Sequence, residues 1–400
     1  MTERDTAKRE AWITGIGIVS SLGEGLDAHW DALQNKSVNV DTTTYAPYVV
    51  HPIAKLNYDL QIPKKGDQRQ METWQRIGTY AAGLALDSAG VKGNQDILAR
   101  MDMVVAAAGG DRDLAVDSTI MTAEARGNSP PGFFNERLMS DLRPTLFLAQ
   151  LSNLLAGNIA IVHGVTGSSR TFMGAESAGA DAAKIALTRI EAGQSDIALI
   201  GSAHNSERKD LLMLFEFGDY NLKNEYAPVW ARGDNGGFAL GSAGVFLVVE
   251  SKQHAMARGA KPYARLSKVV TDRARRDRGP ITPTLDTLWT QTGVKEPGAS
   301  TAILTGASGV SSATHDERAF LAKHRDIAVR ATGTAFGHTV EAQFPLGIAL
   351  AALSISNGKL FSANDPTGLE IEMTAPPDQI VVVGASHWSG EGMALVEAVS

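Results

Sequence analysis

The stretch Gly174-Ala175-Glu176-Ser177-Ala178-Gly179-Ala180 lies between two runs of different periodicity and decides how the chain is expected to fold. The strand-like run Ser169–Met173 precedes it, and the helix-like run Ala180–Ile190 follows it. A strand that turns directly into a helix forms a chain-reversing elbow, which places one side chain at the mouth of the helix N-terminus. Backbone N–H groups and the helix dipole stabilise a thiolate or an oxyanion there, so a nucleophile is expected at this point.

The residue at the centre of this elbow is Glu176, and the chain contains no cysteine. Three interpretations are open: a plain helix N-terminal cap, a repurposed and catalytically silent site, and an active acid or base. A carboxylate is a poor acyl acceptor, because the mixed anhydride that it would form is more reactive than a thioester. A glutamate at a helix N-terminus is favoured by roughly 0.3–1 kcal/mol. Glu176 is therefore expected to fill a donor-lined pocket with its own charge.

The composition of the chain excludes several classes of protein. Among 400 residues, 37 Lys and Arg against 44 Asp and Glu give a net charge of −7, which argues against a general nucleic-acid role. The absence of cysteine excludes disulfides, thiolate zinc sites and cysteine catalysis. The charged start of the chain lacks the apolar core of a signal peptide, and no apolar run approaches the roughly 18 residues of a membrane span. We expect a cytoplasmic protein without a membrane span.

Apolar strand-like runs alternate with amphipathic helix-like segments along the chain. The predicted strands are Ala11–Val19, Met103–Ala108, Ser169–Met173, Asp196–Gly201, Gly244–Glu250, Tyr263–Val270, Thr301–Thr305, Ile327–Ala331, Gln379–Gly384 and Gly392–Ala398. The predicted helices are Thr73–Ala89, Ala178–Glu191, Glu317–His324 and Pro345–Ile355. This alternation indicates buried sheets in an α/β fold. Asp196–His204 and Gln379–His387 both end in Gly, two small residues and His, which predicts two pseudo-duplicated halves.

Some segments carry no regular pattern. Residues 40–72 and 110–145 are rich in Pro, Asp and Thr and are predicted to be irregular cap or interface insertions. Thr271–Pro280 is predicted to be a charged surface loop. No group of His, Asp and Glu has the spacing of a metal site, and no Gly-rich run fits a nucleotide cradle. We therefore expect neither a metal nor a cofactor.

Six motifs of the chain, in order, resemble motifs of the β-ketoacyl-acyl-carrier-protein synthase family. They are Trp12–Gly23, Asn158–Gly167, Gly233–Gly244, His254–Ala260, Gly337–Thr339 and Gly384–Gly392. The details are most similar to an unusual synthase-like group in alphaproteobacterial gene clusters for very-long-chain acyl groups of lipid A. The resemblance implies a thiolase-like α/β fold, with two pseudo-duplicated halves in a five-layered αβαβα arrangement. It implies an N-terminal half over residues 1–255, with cap insertions, and a C-terminal half over 256–400.

The resemblance also assigns four catalytic positions. Family members condense acyl chains with a cysteine that carries the acyl group, two histidines that stabilise an enolate, and a lysine. In this chain the cysteine position falls on Glu176, the first histidine on Ser308, the lysine on Gly333 and the second histidine on His338. Because only His338 matches, ordinary condensation by this chain is not expected. A hydrogen-bonded turn residue is the alternative interpretation of His338.

The remaining candidate residues concern the pocket and the partners. His387 and Phe172 are candidate pocket residues, with packing alone as the alternative. The candidate tunnel-lining residues are Phe133, Phe134, Phe147 and Phe172. The candidate docking residues for an acidic acyl carrier protein are Lys64, Lys65, Arg69 and Arg76, with a second cluster at Arg273, Arg275, Arg276 and Arg278. An ordinary solvated surface is the alternative for both clusters.

The resemblance favours a subunit that lacks the nucleophile and acts in fatty-acid biosynthesis. In known synthase heterodimers one subunit is catalytic, and the other lacks the cysteine and shapes the acyl tunnel. The implied partner is a cysteine-bearing β-ketoacyl synthase, with a homodimer as the alternative. Other hypotheses are an independent malonyl-carrier decarboxylase or acyltransferase, and a scaffold that binds acylated carrier protein. Decarboxylation requires a protonated Glu176 with a pKa raised by burial, because an ionised carboxylate would repel the enolate.

Overall fold

A computed structural model describes residues 8–399 apart from 111, 128, 142–147, 149, 235 and 296. The strands are β1 (Ala11–Ser20), β2 (Gly23–Glu24), β3 (Val50–His51), β4 (Asp102–Ala106), β5 (Ser169–Phe172), β6 (Ile197–His204), β7 (Leu240–Gly241), β8 (Ala243–Ser251), β9 (Ala264–Asp272), β10 (Thr301–Thr305), β11 (Ala328–Ala331), β12 (Gln379–Ala385) and β13 (Glu391–Glu397). Phe147, a candidate tunnel residue, lies outside the described residues.

Helices of very different length connect the strands. The α-helices are α1 (Gly25–Gln34), α2 (Lys65–Gln70), α3 (Thr73–Ser88), α4 (Gln95–Leu98), α5 (Leu114–Ala125), α6 (Phe133–Ser140), α7 (Leu154–His163), α8 (Ala175–Glu191), α9 (Lys209–Glu216), α10 (Lys252–Ala257), α11 (Thr282–Thr292), α12 (Ser311–Leu321), α13 (Gly333–Phe336) and α14 (Gln343–Ser356). Short 3₁₀ helices lie at Tyr58–Leu60, Val229–Ala231, Arg276–Arg278 and Val340–Ala342.

The long strands pair in an order that repeats within the chain. The order is β11-β10-β12-β13-β9-β1-β8-β6-β4-β5. From one edge, β5, β4 and β6 are parallel, and β8 and β1 follow antiparallel. From the other edge, β11, β10 and β12 are parallel, and β13 and β9 follow antiparallel. The two pseudo-duplicated halves predicted from the sequence are therefore confirmed, and the short β1–β9 pairing joins them.

The two half-sheets and three layers of helices form a five-layered structure. Helices α3 and α7 cover the outer face of the first half-sheet, and α11 and α12 cover the outer face of the second. Helices α8 and α14 lie between the half-sheets, where their buried apolar residues contact strands of both halves. Because central strands such as β4, β6 and β8 are buried on both faces, their sequences are continuous apolar runs rather than alternating ones. The predicted α/β thiolase-like architecture is confirmed.

Some predictions on local structure were wrong. Residues 110–145 are not irregular throughout, because α5 and α6 lie there; Asp113 caps α5 by accepting a hydrogen bond from Val116 N–H. Residues 40–72 include the short helix α2. Helix α12 begins at Ser311, earlier than the predicted Glu317. The charged segment that starts at Thr271 is not entirely a surface loop, because its first two residues belong to β9.

No described helix combines the length and the apolar character that crossing a membrane requires.

Candidate functional site

The elbow predicted between β5 and α8 is present and is conformationally strained. Strand β5 ends at Phe172, and α8 begins at Ala175. Gly174 has a φ of 139°, and Ala175 has a φ of 50°, in the left-handed region that residues with a Cβ disfavour by roughly 1–2 kcal/mol. This backbone turns the first residues of α8 into the core, so that Glu176 is only 7% exposed. A strained conformation that the surrounding packing maintains is typical of functional sites.

The carboxylate of Glu176 is held by groups from outside its own helix. The Nδ1 atom of His387 lies 2.5 Å from Oε1, and the His387 backbone N–H donates to the same oxygen at 3.2 Å. Ser386 Oγ–H donates to Oε2 at 2.9 Å, and His338 Nε2 lies 3.0 Å from Oε1. Gly174, the N-cap residue of α8, has no side chain, and Glu176 lies in the first turn of the helix. A plain helix cap does not account for the contacts of Glu176 with residues outside α8, and the role of this carboxylate stays a prediction.

A tight turn between β12 and β13 holds His387 over the start of α8. Ser386 N–H donates to the carbonyl of Gly390 at 3.1 Å. The hydroxyl of Ser386 also accepts from the N–H groups of Trp388 and Ser389, at 3.3 and 3.2 Å. Ser386 thus orders the turn and also donates to the carboxylate. The sequence offered His387 as a residue that reaches the pocket, and the structure places it there.

Aromatic rings enclose both histidines. The centroids of Phe215, Tyr220 and Phe238 lie 5.6, 4.8 and 5.5 Å from that of His387, in edge-to-face geometry. Phe238 also stacks on His338, with a centroid distance of 4.7 Å. The rings shield the ion pair from water, so that His338 and His387 are only 2% and 9% exposed. Electrostatic interactions inside such an apolar enclosure are stronger than in water.

His338 is fixed by its backbone rather than by its ring. Its N–H donates to the carbonyl of Ala239 at 2.7 Å, and its own carbonyl accepts from Gly241 N–H at 2.9 Å. Gly337, which precedes it, has a φ of 71°. Among the described residues, neither ring nitrogen has an aligned hydrogen-bond partner, although Nε2 lies close to the carboxylate of Glu176. The turn-residue interpretation of His338 thus explains the backbone but not the position of the ring.

The histidines set the ionisation of Glu176. Burial alone would raise the pKa of this carboxyl, but electrostatic attraction to His387 and the contacts with both histidines outweigh burial. The pKa of Glu176 therefore lies well below its ordinary value. Burial lowers the pKa of His338, and the neighbouring carboxylate opposes that shift. The raised pKa that an independent decarboxylase requires of Glu176 is not present.

The two other positions assigned by resemblance have hydrogen bonds and close packing of their own. Ser308 is buried at the end of the loop after β10, where its hydroxyl accepts from Val310 N–H and its carbonyl accepts from Arg232 Nη1. No hydrogen bond or ion pair joins Ser308 to Glu176 among the described residues. Gly333 opens α13, and a Cβ there would lie 2.7 Å from the carbonyl oxygen of Ala307. The polar contacts thus join Glu176 to His338 and His387, and the roles of Ser308 and Gly333 stay predictions.

The aromatic candidates for an acyl tunnel do not gather around Glu176. Phe172 is half-buried at the end of β5 and packs against the central core. Phe133 is half-buried on α6 beneath the guanidinium of Arg137, and Phe134 is 50% exposed. Their role as tunnel-lining residues stays a prediction.

The candidate docking residues differ in their exposure and in whether a carboxylate pairs with their positive charge. Lys64, Lys65 and Arg69 are exposed on or beside α2, whereas Arg76 is half-buried with its guanidinium over the ring of Tyr58. Lys65 forms an ion pair with an aspartate at 2.5 Å. In the second cluster, the guanidinium groups of Arg273, Arg275 and Arg276 each form an ion pair with a carboxylate. The cluster at α2 therefore leaves more of its positive charge uncompensated.

A set of three possible metal ligands is the feature that the sequence missed. A carboxylate oxygen of Glu176 and one ring nitrogen each of His338 and His387 lie within 4.8 Å of one another, and all three residues are buried. The expectation that the chain binds no metal stays a prediction. Spacing along the chain gave no signal, because the three residues lie on separate turns that only the fold brings together. Ser386 was also missed, since an ordinary loop serine carries no signal.

The fold is thiolase-like, and a buried carboxylate lies just after the elbow between β5 and α8. A family model described as "Beta-ketoacyl synthase, N-terminal domain" matches residues 8–255. The chain therefore belongs to the β-ketoacyl synthase family.

Similarity to individual curated relatives is low but extends over most of the chain. The chain is 26% identical over 270 residues to 3-oxoacyl-[acyl-carrier-protein] synthase 2 of Vibrio cholerae, which covers 64% of this chain and 62% of that protein. It is 26% identical over 274 residues to the putative polyketide beta-ketoacyl synthase 1 of Streptomyces halstedii, which covers 66% and 63%. The chain thus spans about three fifths of the length of the curated relatives it matches.

Solved structures share the fold over nearly the entire chain. The ishigamide ketosynthase/chain length factor has a TM-score of 0.79 at 19% identity and covers 98% of this chain and 100% of its own. A β-ketoacyl synthase from Burkholderia phymatum has a TM-score of 0.80 at 16% identity, with 98% and 100% covered. The ketosynthase AntDE in complex with its acyl-carrier protein AntF has a TM-score of 0.74 at 17% identity, with the same coverage.

Proposed function

We propose that this chain is the nucleophile-lacking, chain-length-factor-like subunit of a condensing heterodimer that builds very-long-chain acyl groups. The observation that carries the proposal is the buried carboxylate of Glu176, held by His387, His338 and Ser386 where family members place their acyl-accepting cysteine. The partner would be a cysteine-bearing β-ketoacyl synthase, and the acyl groups would arrive on an acyl carrier protein. The cytoplasm is the compartment that this role implies.

The geometry disfavours a covalent acyl-enzyme on this chain. An ionised Glu176 would have to leave its contacts with His387 before it attacked a thioester, and the product would be a mixed anhydride. The backbone N–H of His387 already donates to the carboxylate, so one donor for a developing oxyanion is occupied by the protein's own charge. A subunit of this kind contributes surface and shape rather than a nucleophile.

The same geometry weighs against an independent decarboxylase or acyltransferase. Stabilising the enolate of a decarboxylated malonyl group requires donors and no negative charge nearby. The lowered pKa of Glu176 keeps a negative charge at this point. A scaffold that only binds acylated carrier protein stays as the second outcome of the experiment below.

The edge of the first half-sheet supplies a surface that a partner subunit would cover. Strand β5 hydrogen-bonds to β4 on one side, and no described strand pairs with its other side. Beside it, Ile161 on α7 and Met173 after β5 are 71% and 63% exposed. An unpaired strand edge and large exposed apolar residues are together a liability in a monomer and typical of an interface.

The cluster at α2 is the better of the two candidate docking surfaces for the acidic carrier protein. Lys64 and Arg69 are exposed there without an ion-pair partner among the described residues. Attraction between exposed charges is screened by salt. Reversing both charges should therefore weaken carrier binding at low ionic strength far more than at high ionic strength.

Co-expression tests the proposal directly. The untagged chain should co-purify in a one-to-one ratio with a tagged cysteine-bearing synthase from the same source. Ile161→Asp should abolish the association, whereas Met256→Asp, at a residue that is also 62% exposed but lies on α10, should leave it intact. A stable homodimer of this chain that ignores the synthase would contradict the proposal. An association that leaves the activity of the synthase unchanged would favour the scaffold.

A further inference from the structure

The cluster around Glu176 has a donor set that suits a metal ion. Glu176 Oε1, His338 Nε2 and His387 Nδ1 lie within 4.8 Å of one another. They come from three separate segments: the first turn of α8, the turn before the 3₁₀ helix Val340–Ala342, and the turn 386–390. Two imidazole nitrogens and one carboxylate oxygen form a ligand set that zinc and other divalent transition metals take in proteins.

The ring of His338 provides an independent observation. It is 2% exposed, and its Nδ1 has no hydrogen-bond partner among the described residues. Its Nε2 lies 3.0 Å from Glu176 Oε1, in an ion-pair contact rather than an aligned hydrogen bond. Buried polar groups are almost always satisfied, and an orphaned one costs about 1–3 kcal/mol. Two ligand atoms that lie close together without an aligned hydrogen bond are expected where both bind the same metal ion.

The distances require little rearrangement. Oxygen and nitrogen ligands lie about 2.0–2.2 Å from zinc, so two ligands of a tetrahedral site stand roughly 3.4 Å apart. The carboxylate oxygen is 3.0 Å from the ligand atom of His338 and 2.5 Å from that of His387. Opening both contacts by less than about 1 Å would admit the ion, provided that the two ring nitrogens, which lie within 4.8 Å of each other, reach a similar separation. The backbone of His338 is hydrogen-bonded on both sides, so the carboxylate of Glu176 and the ring of His387 are the groups that would shift.

The ligand types limit which metal ions this site could bind. Magnesium and calcium take oxygen ligands, and two imidazoles disfavour them. Soft metal ions that prefer thiolate ligands are also disfavoured, because the chain has no cysteine. Three protein ligands leave one position of a tetrahedral ion for water or another small ligand.

We propose that Glu176, His338 and His387 form a site for one divalent transition-metal ion, zinc above all, which fastens the turn 386–390 to the start of α8. This inference concerns ligand binding and does not depend on the proposed role in a heterodimer.

The test uses the full chain without a polyhistidine tag, freed of metal by a chelator and titrated with zinc chloride by calorimetry. Wild type should bind one zinc per chain, and zinc should raise the melting temperature. Cobalt(II) should give the visible absorption of a site with nitrogen and oxygen ligands in tetrahedral geometry. His387→Phe and Glu176→Gln should each weaken zinc binding by at least about 100-fold. His254→Gln is the matched control, because His254 also pairs with a buried glutamate, Glu250, but has no third ligand among the described residues.

Melting of each variant without metal shows whether it is folded. If Glu176→Gln does not fold, His387→Phe alone decides the question, since its aromatic cage accepts a phenyl ring. Absence of stoichiometric binding by folded wild type would overturn the inference. Equal affinity of wild type and His387→Phe would overturn it too. Either failure leaves the co-purification experiment fully informative, because association with a synthase does not require a bound metal.

Discussion

Replacing His387 by phenylalanine should expose the cost of leaving the carboxylate of Glu176 buried without its main partner. The phenyl ring keeps the aromatic shape of the imidazole with one more ring atom, so the edge-to-face contacts with Phe215, Tyr220 and Phe238 can persist after a small shift. The 2.5 Å contact between Nδ1 and Oε1 is lost. The measured effect therefore contains the ion pair and a packing contribution, which the double-mutant cycle below separates.

The magnitude follows from the contacts that remain. Breaking a buried ion pair by removing one partner costs about 3–5 kcal/mol. Ser386 and the backbone N–H of residue 387 still donate to the carboxylate, which places the expected loss near the lower end of that range. The entropy of unfolding for 400 residues is roughly 0.8 kcal/mol per degree, so a loss of about 3 kcal/mol lowers the melting temperature by about 4 °C.

A double-mutant cycle separates the pair from its surroundings. Glu176→Gln removes the charge, so adding His387→Phe to that variant should cost less than about 1 kcal/mol, and the coupling energy should be at least about 2 kcal/mol. Calorimetric melting of chelator-treated protein measures all four species. A coupling energy below about 0.5 kcal/mol would refute the reasoning, because it would mean that the two side chains do not form a buried ion pair.

Three further perturbations test other parts of the structure. Burial raises the pKa of Glu317 to about 8, so this carboxyl keeps its proton in the folded state, whereas in the unfolded state it loses the proton near pH 4.5. The free energy of unfolding therefore falls by about 1.4 kcal/mol per pH unit between these two values. Glu317→Gln should raise the melting temperature at pH 8 but not below pH 4.5. A Cβ on Gly179 would lie 2.6 Å from the carbonyl oxygen of Glu341, so Gly179→Ala should lower the free energy of unfolding by about 1–3 kcal/mol. Gly66→Ala is the control: Gly66 lies in a helix with open space around it, so this change should raise stability slightly. Equal melting temperatures of the two variants would contradict this. Glu176→Cys should not elongate acyl chains when the chain is assayed alone, since the first-histidine and lysine positions lack those residues; turnover by this variant would show that the positions are assigned wrongly.

Most of the fold could be predicted because its strands are buried on both faces. Continuous apolar runs such as Ile197–His204 allow few alternatives, and every predicted strand is present with its ends shifted by no more than three residues. Helices α5 and α6 escaped prediction, because their exposed surfaces carry no clear apolar stripe and their capping residue resembles loop sequence. The composition of residues 110–145 therefore indicated a loop where the chain forms helices.

The candidate site also has one part that local sequence predicts and one part that it does not. The elbow and Glu176 follow from local sequence, since a strand, glycine and small residues, and a helix adjoin each other along the chain. The contact with His387 does not, because it joins residues 211 positions apart through the packing of a turn on a helix N-terminus. The downward shift of the Glu176 pKa depends on the same contact, so burial considered alone gave the opposite direction. Long-range packing is thus what decides the chemistry of this carboxylate.

Reconstituted elongation tests the central claim most directly. A cysteine-bearing synthase, acyl carrier protein and malonyl donor are assayed with and without this chain, and intact mass spectrometry follows the acyl groups on both proteins. We predict that the chain increases the length of the acyl products while every covalent acyl group resides on the partner's cysteine. An acyl adduct on this chain, or elongation by this chain alone, would contradict the account.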